Sequence, residues 1–87
     1  FTGSVPVGKL LTKLAAEQMK PVTMELGGHS PLVVFDDVNV EKVAAMCAAF
    51  KFRNAGQVCL SPNRIFVQEG IVDQFVEHFV SATGRMK

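Results

Sequence analysis

Cys59 lies in the stretch "NAGQVCLSPN", residues 54–63, where its thiol could act as a nucleophile. It follows Gly56, which is placed to end a helix, and precedes Pro62, so irregular chain is expected around it. In such chain a thiol is accessible and backbone N–H groups are free to bind an oxyanion. Cys47 instead lies on an apolar helical stripe, which is typical of a structural cysteine. The residues alone leave Cys59 open between a nucleophile and a small core residue.

Glu25 is the second side chain that could do chemistry. In "MELGGHSP", residues 24–31, it interrupts the apolar alternation of a short strand and precedes Gly27 and Gly28. Open α/β sheets place their sites at this end of a strand. A half-buried carboxylate there could serve as a general base. The alternative is a carboxylate on the polar face of the strand, directed to solvent.

The stretch "GSVPVGKL", residues 3–10, could face a phosphate group. It matches the phosphate loop GxxxxGK as far as Lys9 but has Leu10 where the Ser or Thr that holds magnesium is required. A nucleotide-binding phosphate loop is therefore a weak alternative. Gly3 and Ser4 still precede a helix whose free N–H groups and dipole favour anions. A plain strand-to-helix turn explains the same two residues equally well.

Six elements are needed to position these residues. Apolar spacing predicts helices over 5–19, 39–55 and 71–84, and strands over 22–26, 31–35 and 64–68. Helices that alternate with strands indicate an α/β fold with parallel strands and crossover helices. The strand at 31–35 is apolar on both faces, as a central strand buried between two layers is. The pair Gly27 and Gly28 is the expected boundary between two structural units.

Composition narrows the classes of function. The 87 residues are 48% hydrophobic and 20% charged, which is typical of a globular chain. A net charge of +1 with scattered Lys and Arg argues against nucleic-acid binding. The two cysteines form no CxxC motif, so no metal site is expected. No apolar run is long enough for a membrane span and no signal peptide is recognised, which predicts a cytoplasmic protein.

Three segments together carry a resemblance to a known family. They are "FTGSVPVG" at residues 1–8, "MELGGHSP" at 24–31 and "FRNAGQVC" at 52–59. In this order and spacing they resemble the NAD(P)-dependent aldehyde dehydrogenase superfamily over essentially the whole chain. Glu25 and Cys59 are 59 − 25 = 34 positions apart, the usual separation of that family's general base and nucleophile.

The resemblance implies a role for each matching residue. Cys59 is expected to attack the aldehyde, its backbone N–H to provide half of an oxyanion hole, and Glu25 to activate the water that hydrolyses the thioester. The implied cofactor is NAD or NADP, and which of the two is left open.

Four further residues match the family's cofactor-binding positions. Gly3 and Ser4 match a turn near the cofactor's pyrophosphate, which favours dinucleotide binding over a plain turn. Leu26 and Gly27 match positions that line the nicotinamide end. These four residues are therefore the expected cofactor site.

Within the superfamily, "KFRNAGQVC" at residues 51–59 most resembles the succinate-semialdehyde and 2-oxoglutarate-semialdehyde branches. Arg53 matches the position that binds a substrate's remote carboxylate, although a solvated arginine remains the alternative. Some of these enzymes carry a second cysteine two residues beyond the nucleophile. This chain has Ser61 there, so the corresponding disulfide switch is expected to be absent.

The resemblance also predicts how the chain is organised. Residues 1–27 are expected to form the C-terminal part of a cofactor-binding domain, and residues 28–87 the N-terminal part of a catalytic domain. The full enzyme would be a homo-oligomer acting on a small-molecule aldehyde, and the isolated chain is expected to be inactive. The alternative is a folded, non-catalytic chain that associates with itself.

Overall fold

The computed structural model describes residues 1–86 as an α/β chain, which confirms the predicted fold class. Its strands and helices follow one another as β1 (Thr2–Gly3), α1 (Val5–Ala16), β2 (Glu25–Leu26), β3 (Leu32–Val34), α2 (Val40–Phe52), β4 (Ile65–Val67) and α3 (Val72–Gly84). Two short turns, Arg53–Gly56 and Glu69–Ile71, precede β4 and α3.

The strands pair in two parallel sheets of two strands each. In the first sheet Thr2 lies opposite Glu25 and Gly3 opposite Leu26, with α1 as the connection. In the second sheet β3 pairs with β4, with α2 between them. The chain is thus two successive β-α-β units, and the predicted parallel pairing is confirmed. In both units the carboxyl ends of the paired strands lie at the same edge.

The first unit is shorter than its sequence pattern predicts. Helix α1 ends at Ala16 rather than at residue 19, and Met19 has a left-handed φ of 55°. Of the strand predicted over residues 22–26, only Glu25 and Leu26 form β2, and they pair with the two residues of β1. The residues before β2 also contact the first residue of the chain, because the Phe1 nitrogen donates a hydrogen bond to the Thr23 carbonyl at 2.9 Å.

The hydrophobic core belongs to the second unit. It consists of buried side chains from β3, α2 and α3, namely Val34, Val40, Ala44, Cys47 and Phe75. The Phe75 ring stacks on Phe79 with a centroid separation of 5.9 Å. Cys47 is 1% exposed, and burial raises the pKa of its thiol. The structural setting predicted for Cys47 is confirmed.

The prediction that strand 31–35 is buried on both faces is wrong for this chain. Val34 is buried, whereas its neighbours Val33 and Phe35 are 58% and 62% exposed. The core packs against the Val34 face, and residues 1–86 supply no second layer over the opposite face.

Helix α2 begins as predicted but ends early. The Asn39 side chain accepts a hydrogen bond from the Lys42 N–H at 3.0 Å, the geometry of an N-cap. The helix stops at Phe52, and Asn54, Ala55 and Gly56 have φ of 52°, 57° and 77°. The left-handed conformation expected of Gly56 is confirmed, but two preceding residues share it. This turn sends the chain away from the helix axis toward Cys59.

Candidate active site

An open cleft of about 360 Å³ brings together most of the residues identified from the sequence. It is lined by Thr2, Gly3, Glu25, Leu26, Gly27 and Cys59. The cleft lies at the carboxyl ends of β1 and β2, where parallel sheets place their sites. Cys59 reaches it from the connection between α2 and β4. The expected nucleophile and the expected base therefore face one space although they belong to different β-α-β units.

Cys59 differs from Cys47 in its surroundings. Cys59 is exposed, whereas Cys47 is buried. The carbonyl oxygen of Cys59 accepts a hydrogen bond from the Ser30 hydroxyl at 3.3 Å. Cys59 is thus an accessible residue of the cleft, as a nucleophile requires, and its backbone is hydrogen-bonded to a neighbouring loop. The catalytic role itself stays a prediction.

Glu25 is held through its backbone and leaves its carboxylate free. Its N–H donates to the Phe1 carbonyl at 2.8 Å, and its side chain is exposed rather than half-buried. Glu25 is one of the residues that line the cleft, and its side chain has access to solvent. A carboxylate in that position can take a proton from water beside the thiol.

The expected cofactor residues leave open space and backbone donors near the cleft. A Cβ atom on Gly27 would meet no heavy atom within 4 Å, so the chain leaves open space beside the cleft. Ser4 is the N-cap of α1 but its side chain makes no capping bond, and the first turn holds no acidic residue. Pro6 has no N–H and the Gly8 N–H bonds to the Ser4 carbonyl, so the N–H groups of Val5 and Val7 are the first-turn donors that remain available to an anion such as a pyrophosphate. Gly3, Leu26 and Gly27 line the cleft itself, and Ser4 follows Gly3 in the chain.

The phosphate-loop alternative is excluded by the course of α1. The helix begins at Val5, so Gly8 and Lys9 lie within it and residues 3–9 form no loop. Gly8 is buried against the Leu26 side chain instead.

Arg53 lies apart from the cleft in the described residues. It lines a separate cavity of about 590 Å³ between the ends of α2 and α3, together with Ala49, Phe52, Ala55, Thr83 and Met86. The structure thus brings Cys59 and Glu25 together without Arg53. A carboxylate-binding role for Arg53 stays a prediction.

Sequence reasoning missed Lys51, which lies near the end of α2. Its ammonium donates to the Ser61 hydroxyl oxygen at 3.2 Å and to Asn63 Oδ1 at 2.7 Å. The Ser61 hydroxyl in turn donates to the Lys51 carbonyl at 2.9 Å. Ser61 is 2% exposed, so the residue at the expected position of a second cysteine is a buried hydrogen-bonding serine. No motif marks Lys51, because these bonds depend on how the loop folds back on α2.

A metal-binding cluster and a membrane-spanning helix are both absent from residues 1–86. No group of three or more His, Cys, Asp or Glu side chains that could hold a metal ion lies in this part of the chain. None of the helices described is long and apolar enough to cross a membrane.

The chain belongs to the aldehyde dehydrogenase family, whose family model matches residues 1–87. It is 48% identical over 87 residues to 3-sulfolactaldehyde dehydrogenase of Pseudomonas putida, covering 100% of this chain and 18% of that protein. It is 52% identical over 82 residues to the mitochondrial succinate-semialdehyde dehydrogenase of Rattus norvegicus, covering 94% and 16%. The chain therefore spans less than a fifth of the length of these relatives.

Solved structures show the same fold. An NADP-dependent enzyme of E. coli matches with a TM-score of 0.92 and 43% identity, over 99% of this chain and 18% of that one. An indole-3-acetaldehyde dehydrogenase solved with NAD+ matches with a TM-score of 0.91 and 37% identity, over 100% and 18%. The resemblance inferred from the three sequence segments is confirmed at the level of the family.

Proposed function

We propose that this chain supplies the nucleophile and the general base of an enzyme that oxidises an aldehyde to the acid with NAD or NADP. The observation that carries the proposal is the cleft shared by Cys59 and Glu25. A thiol and a carboxylate at one opening suit a reaction that passes through a thioester and ends in hydrolysis. The membership of the aldehyde dehydrogenase family supports the same reaction.

Cys59 starts the reaction. As the thiolate, its sulfur attacks the aldehyde carbon and forms the carbon–sulfur bond of a thiohemiacetal. The Cys59 backbone N–H donates to the oxygen that becomes negative in this step. The nicotinamide, when bound, supplies the acceptor for the hydride that leaves this carbon. The product on Cys59 is a thioester.

Glu25 completes the reaction. Its carboxylate takes a proton from water while the water oxygen attacks the thioester carbon. The carbon–sulfur bond then breaks, which releases the acid and returns Cys59 as the thiolate. Solvent access to the Glu25 side chain fits this step, since the base must contact a water molecule.

The full-length enzyme tests this assignment. We expect Cys59→Ser to abolish turnover of an aldehyde, because an alcohol oxygen is a poor nucleophile here. We expect Glu25→Gln to lower kcat by roughly 100-fold, the usual contribution of a general base. Exposed Glu17 provides the matched control, and Glu17→Gln should leave kcat unchanged. Full turnover by Cys59→Ser would remove the basis of the proposal.

A carboxylate-bearing semialdehyde is the proposed substrate class. Arg53 supplies a guanidinium that can pair with a remote carboxylate, and a succinate-semialdehyde dehydrogenase is among the relatives. The comparison is turnover of succinic semialdehyde against an uncharged aldehyde of similar length, with and without Arg53→Ala. We expect Arg53→Ala to raise KM for the charged substrate alone. An equal effect on both aldehydes would contradict the role of Arg53.

The two β-α-β units support a boundary between cofactor and catalytic parts at residues 27 and 28. We propose that residues 1–27 belong to the cofactor-binding side and residues 28–87 to the catalytic side of a homo-oligomeric enzyme. The 87-residue chain alone lacks most of the length of its relatives, and we expect it to form no reduced nicotinamide from an aldehyde. Under the alternative of a non-catalytic chain that associates with itself, sedimentation velocity will detect the association.

A further inference from the structure

Two loops lie next to the candidate catalytic residues at the cleft. The base loop, residues 27–31, follows Glu25, and the nucleophile loop, residues 57–63, contains Cys59. The Ser30 hydroxyl of the base loop donates to the Cys59 carbonyl at 3.3 Å. The backbone that presents the thiol is therefore bonded directly to the loop that continues from the base.

Asn63 adds a second connection between the same two loops. Its N–H donates to the His29 carbonyl at 2.9 Å, and its side-chain Nδ2 lies 3.5 Å from the Gly28 carbonyl oxygen. Both acceptors belong to the base loop. Asn63 thus fixes the far end of the nucleophile loop against the segment that follows Glu25.

Lys51 anchors this connection to helix α2. Its ammonium donates to Asn63 Oδ1 at 2.7 Å and to the Ser61 hydroxyl at 3.2 Å. Hydrogen bonds from a charged donor are stronger than those between neutral groups. Ser61 is buried, so removal of the ammonium would take a donor from a group with little access to water. One side chain on a rigid helix thereby orients two residues of the nucleophile loop.

We propose that Lys51 and Asn63 are positioning residues that hold Cys59 and Glu25 at the separation needed for thioester hydrolysis. The inference rests on the proposed function, and nothing in it requires either residue to touch the substrate. The ammonium and the amide act through the two loops, of which one contains Cys59 and the other continues directly from the strand that contains Glu25.

Hydrolysis should depend on this separation more than thiol addition does. A water molecule must contact the Glu25 carboxylate and the thioester carbon at once, so both loops contribute to its placement. Addition requires the exposed Cys59 sulfur and the aldehyde, and the base loop is less involved. A displacement of about 1 Å in a reacting group can cost roughly 100-fold in rate.

The test compares two rates in the full-length enzyme by stopped-flow absorbance of the reduced nicotinamide. The first turnover reports formation of the thioester, and the steady state reports its hydrolysis. For Lys51→Met and for Asn63→Ala we expect kcat to fall about 10-fold or more while the first-turnover rate stays within about threefold. Lys51→Arg, which keeps a charged donor, should restore most of kcat.

Lys42 provides the matched control on the same helix. Its side chain is exposed, and its ammonium takes part in none of the hydrogen bonds described for residues 1–86. Lys42→Met should leave both rates unchanged. If Lys51 only stabilised the fold, Lys51→Met would lower the unfolding temperature and reduce both rates by the same factor.

Three results would overturn the inference. They are an unchanged kcat in Lys51→Met and Asn63→Ala, an equal loss in both rates, or no recovery in Lys51→Arg. If Lys51→Met does not fold, exposed Asn63 still decides, because Asn63→Ala removes the side-chain bonds to the Gly28 carbonyl and to the ammonium while its backbone N–H keeps the bond to His29. Failure of the proposed function is separate, since it would appear as full turnover in Cys59→Ser.

Discussion

At the residue scale, the two cysteines differ in what surrounds their sulfur atoms. Cys47 is packed among the core side chains of α2 and α3, and Cys59 lies in an open cleft. The thiolate is the reactive form of cysteine, and burial keeps the Cys47 thiol protonated because it raises its pKa. We therefore expect a thiol reagent to modify Cys59 in the folded protein and to leave Cys47 unmodified.

Limited treatment with iodoacetamide checks this difference. We expect peptide mass spectrometry to find the label on Cys59 and none on Cys47 while the protein remains folded. Both residues should react once the protein is unfolded in denaturant, which serves as the internal control. Labelling of Cys47 in the folded protein would contradict the burial described for it.

The left-handed turn before Cys59 includes a residue that is strained there. Ala55 has φ of 57°, and an L-residue with a Cβ pays about 1 kcal/mol or more in this region. We expect Ala55→Gly to raise the free energy of unfolding by about 1 kcal/mol, measured from the unfolding transition. A loss of stability would show that the Ala55 methyl group makes contacts worth more than the strain.

Ala45 supplies the opposite control because it is exposed within helix α2. There the same change, Ala45→Gly, should lower the free energy of unfolding by about 1 kcal/mol, the difference in helix propensity. A substitution that stabilises one site and destabilises the other isolates the effect of backbone conformation.

The candidate functional residues could be predicted from the sequence only where a motif marks them. Cys59 and Glu25 stand out because a reactive side chain lies beside glycine and proline in irregular chain. Lys51 could not be found in this way, because a lysine near a helix end is ordinarily solvated. Its partners Ser61 and Asn63 reach it only after the left-handed turn reverses the chain.

At the scale of elements, α1 supports the cleft through a close contact with β2. A Cβ atom on Gly8 would lie 2.8 Å from Leu26 Cδ2, so the helix approaches the strand at a position that tolerates no side chain without movement. Leu26 lines the cleft on the side of the expected cofactor site. The packing of α1 therefore influences how much room the cleft offers.

Gly8→Ala tests this link. The end of the Leu26 side chain is flexible and should shift into the cleft, which we expect to raise KM for the cofactor about 10-fold, the effect of one methyl group in a pocket. Steady-state kinetics with varied cofactor measures it. Gly84→Ala is the control, since a Cβ there meets nothing within 4 Å. An unchanged KM for the cofactor in Gly8→Ala would show that the packing of α1 does not affect cofactor binding in the cleft.

The types and order of six elements followed from apolar periodicity, whereas strand β1 at Thr2–Gly3 and the ends of the elements did not. Helix α2 stops at Phe52 because Asn54 and Ala55 join Gly56 in the left-handed region, and the sequence pointed only to the glycine. Such limits depend on neighbours in space, which a periodic pattern does not contain.

At the scale of the whole molecule, the chain is extended. Its radius of gyration is 17.8 Å, whereas a compact domain of this length has about 12 Å. Large apolar side chains are exposed on several elements, among them Val33, Phe35 and Phe66. The relatives are more than five times longer, and we propose that the remainder of the enzyme covers these faces. Sequence alone could not predict this shape, because the apolar strand 31–35 gives no sign of where its second layer comes from.

The central claim is that Cys59 forms the covalent intermediate and Glu25 promotes its hydrolysis. Intact-mass spectrometry tests this claim most directly. Full-length Glu25→Gln protein is mixed with a semialdehyde and NAD or NADP, then quenched in acid. We predict a covalent acyl adduct that accumulates on Cys59 in Glu25→Gln, is scarce in the unsubstituted enzyme and is absent from Cys59→Ser. An adduct on another residue, or none in Glu25→Gln while aldehyde is still oxidised, would contradict the account.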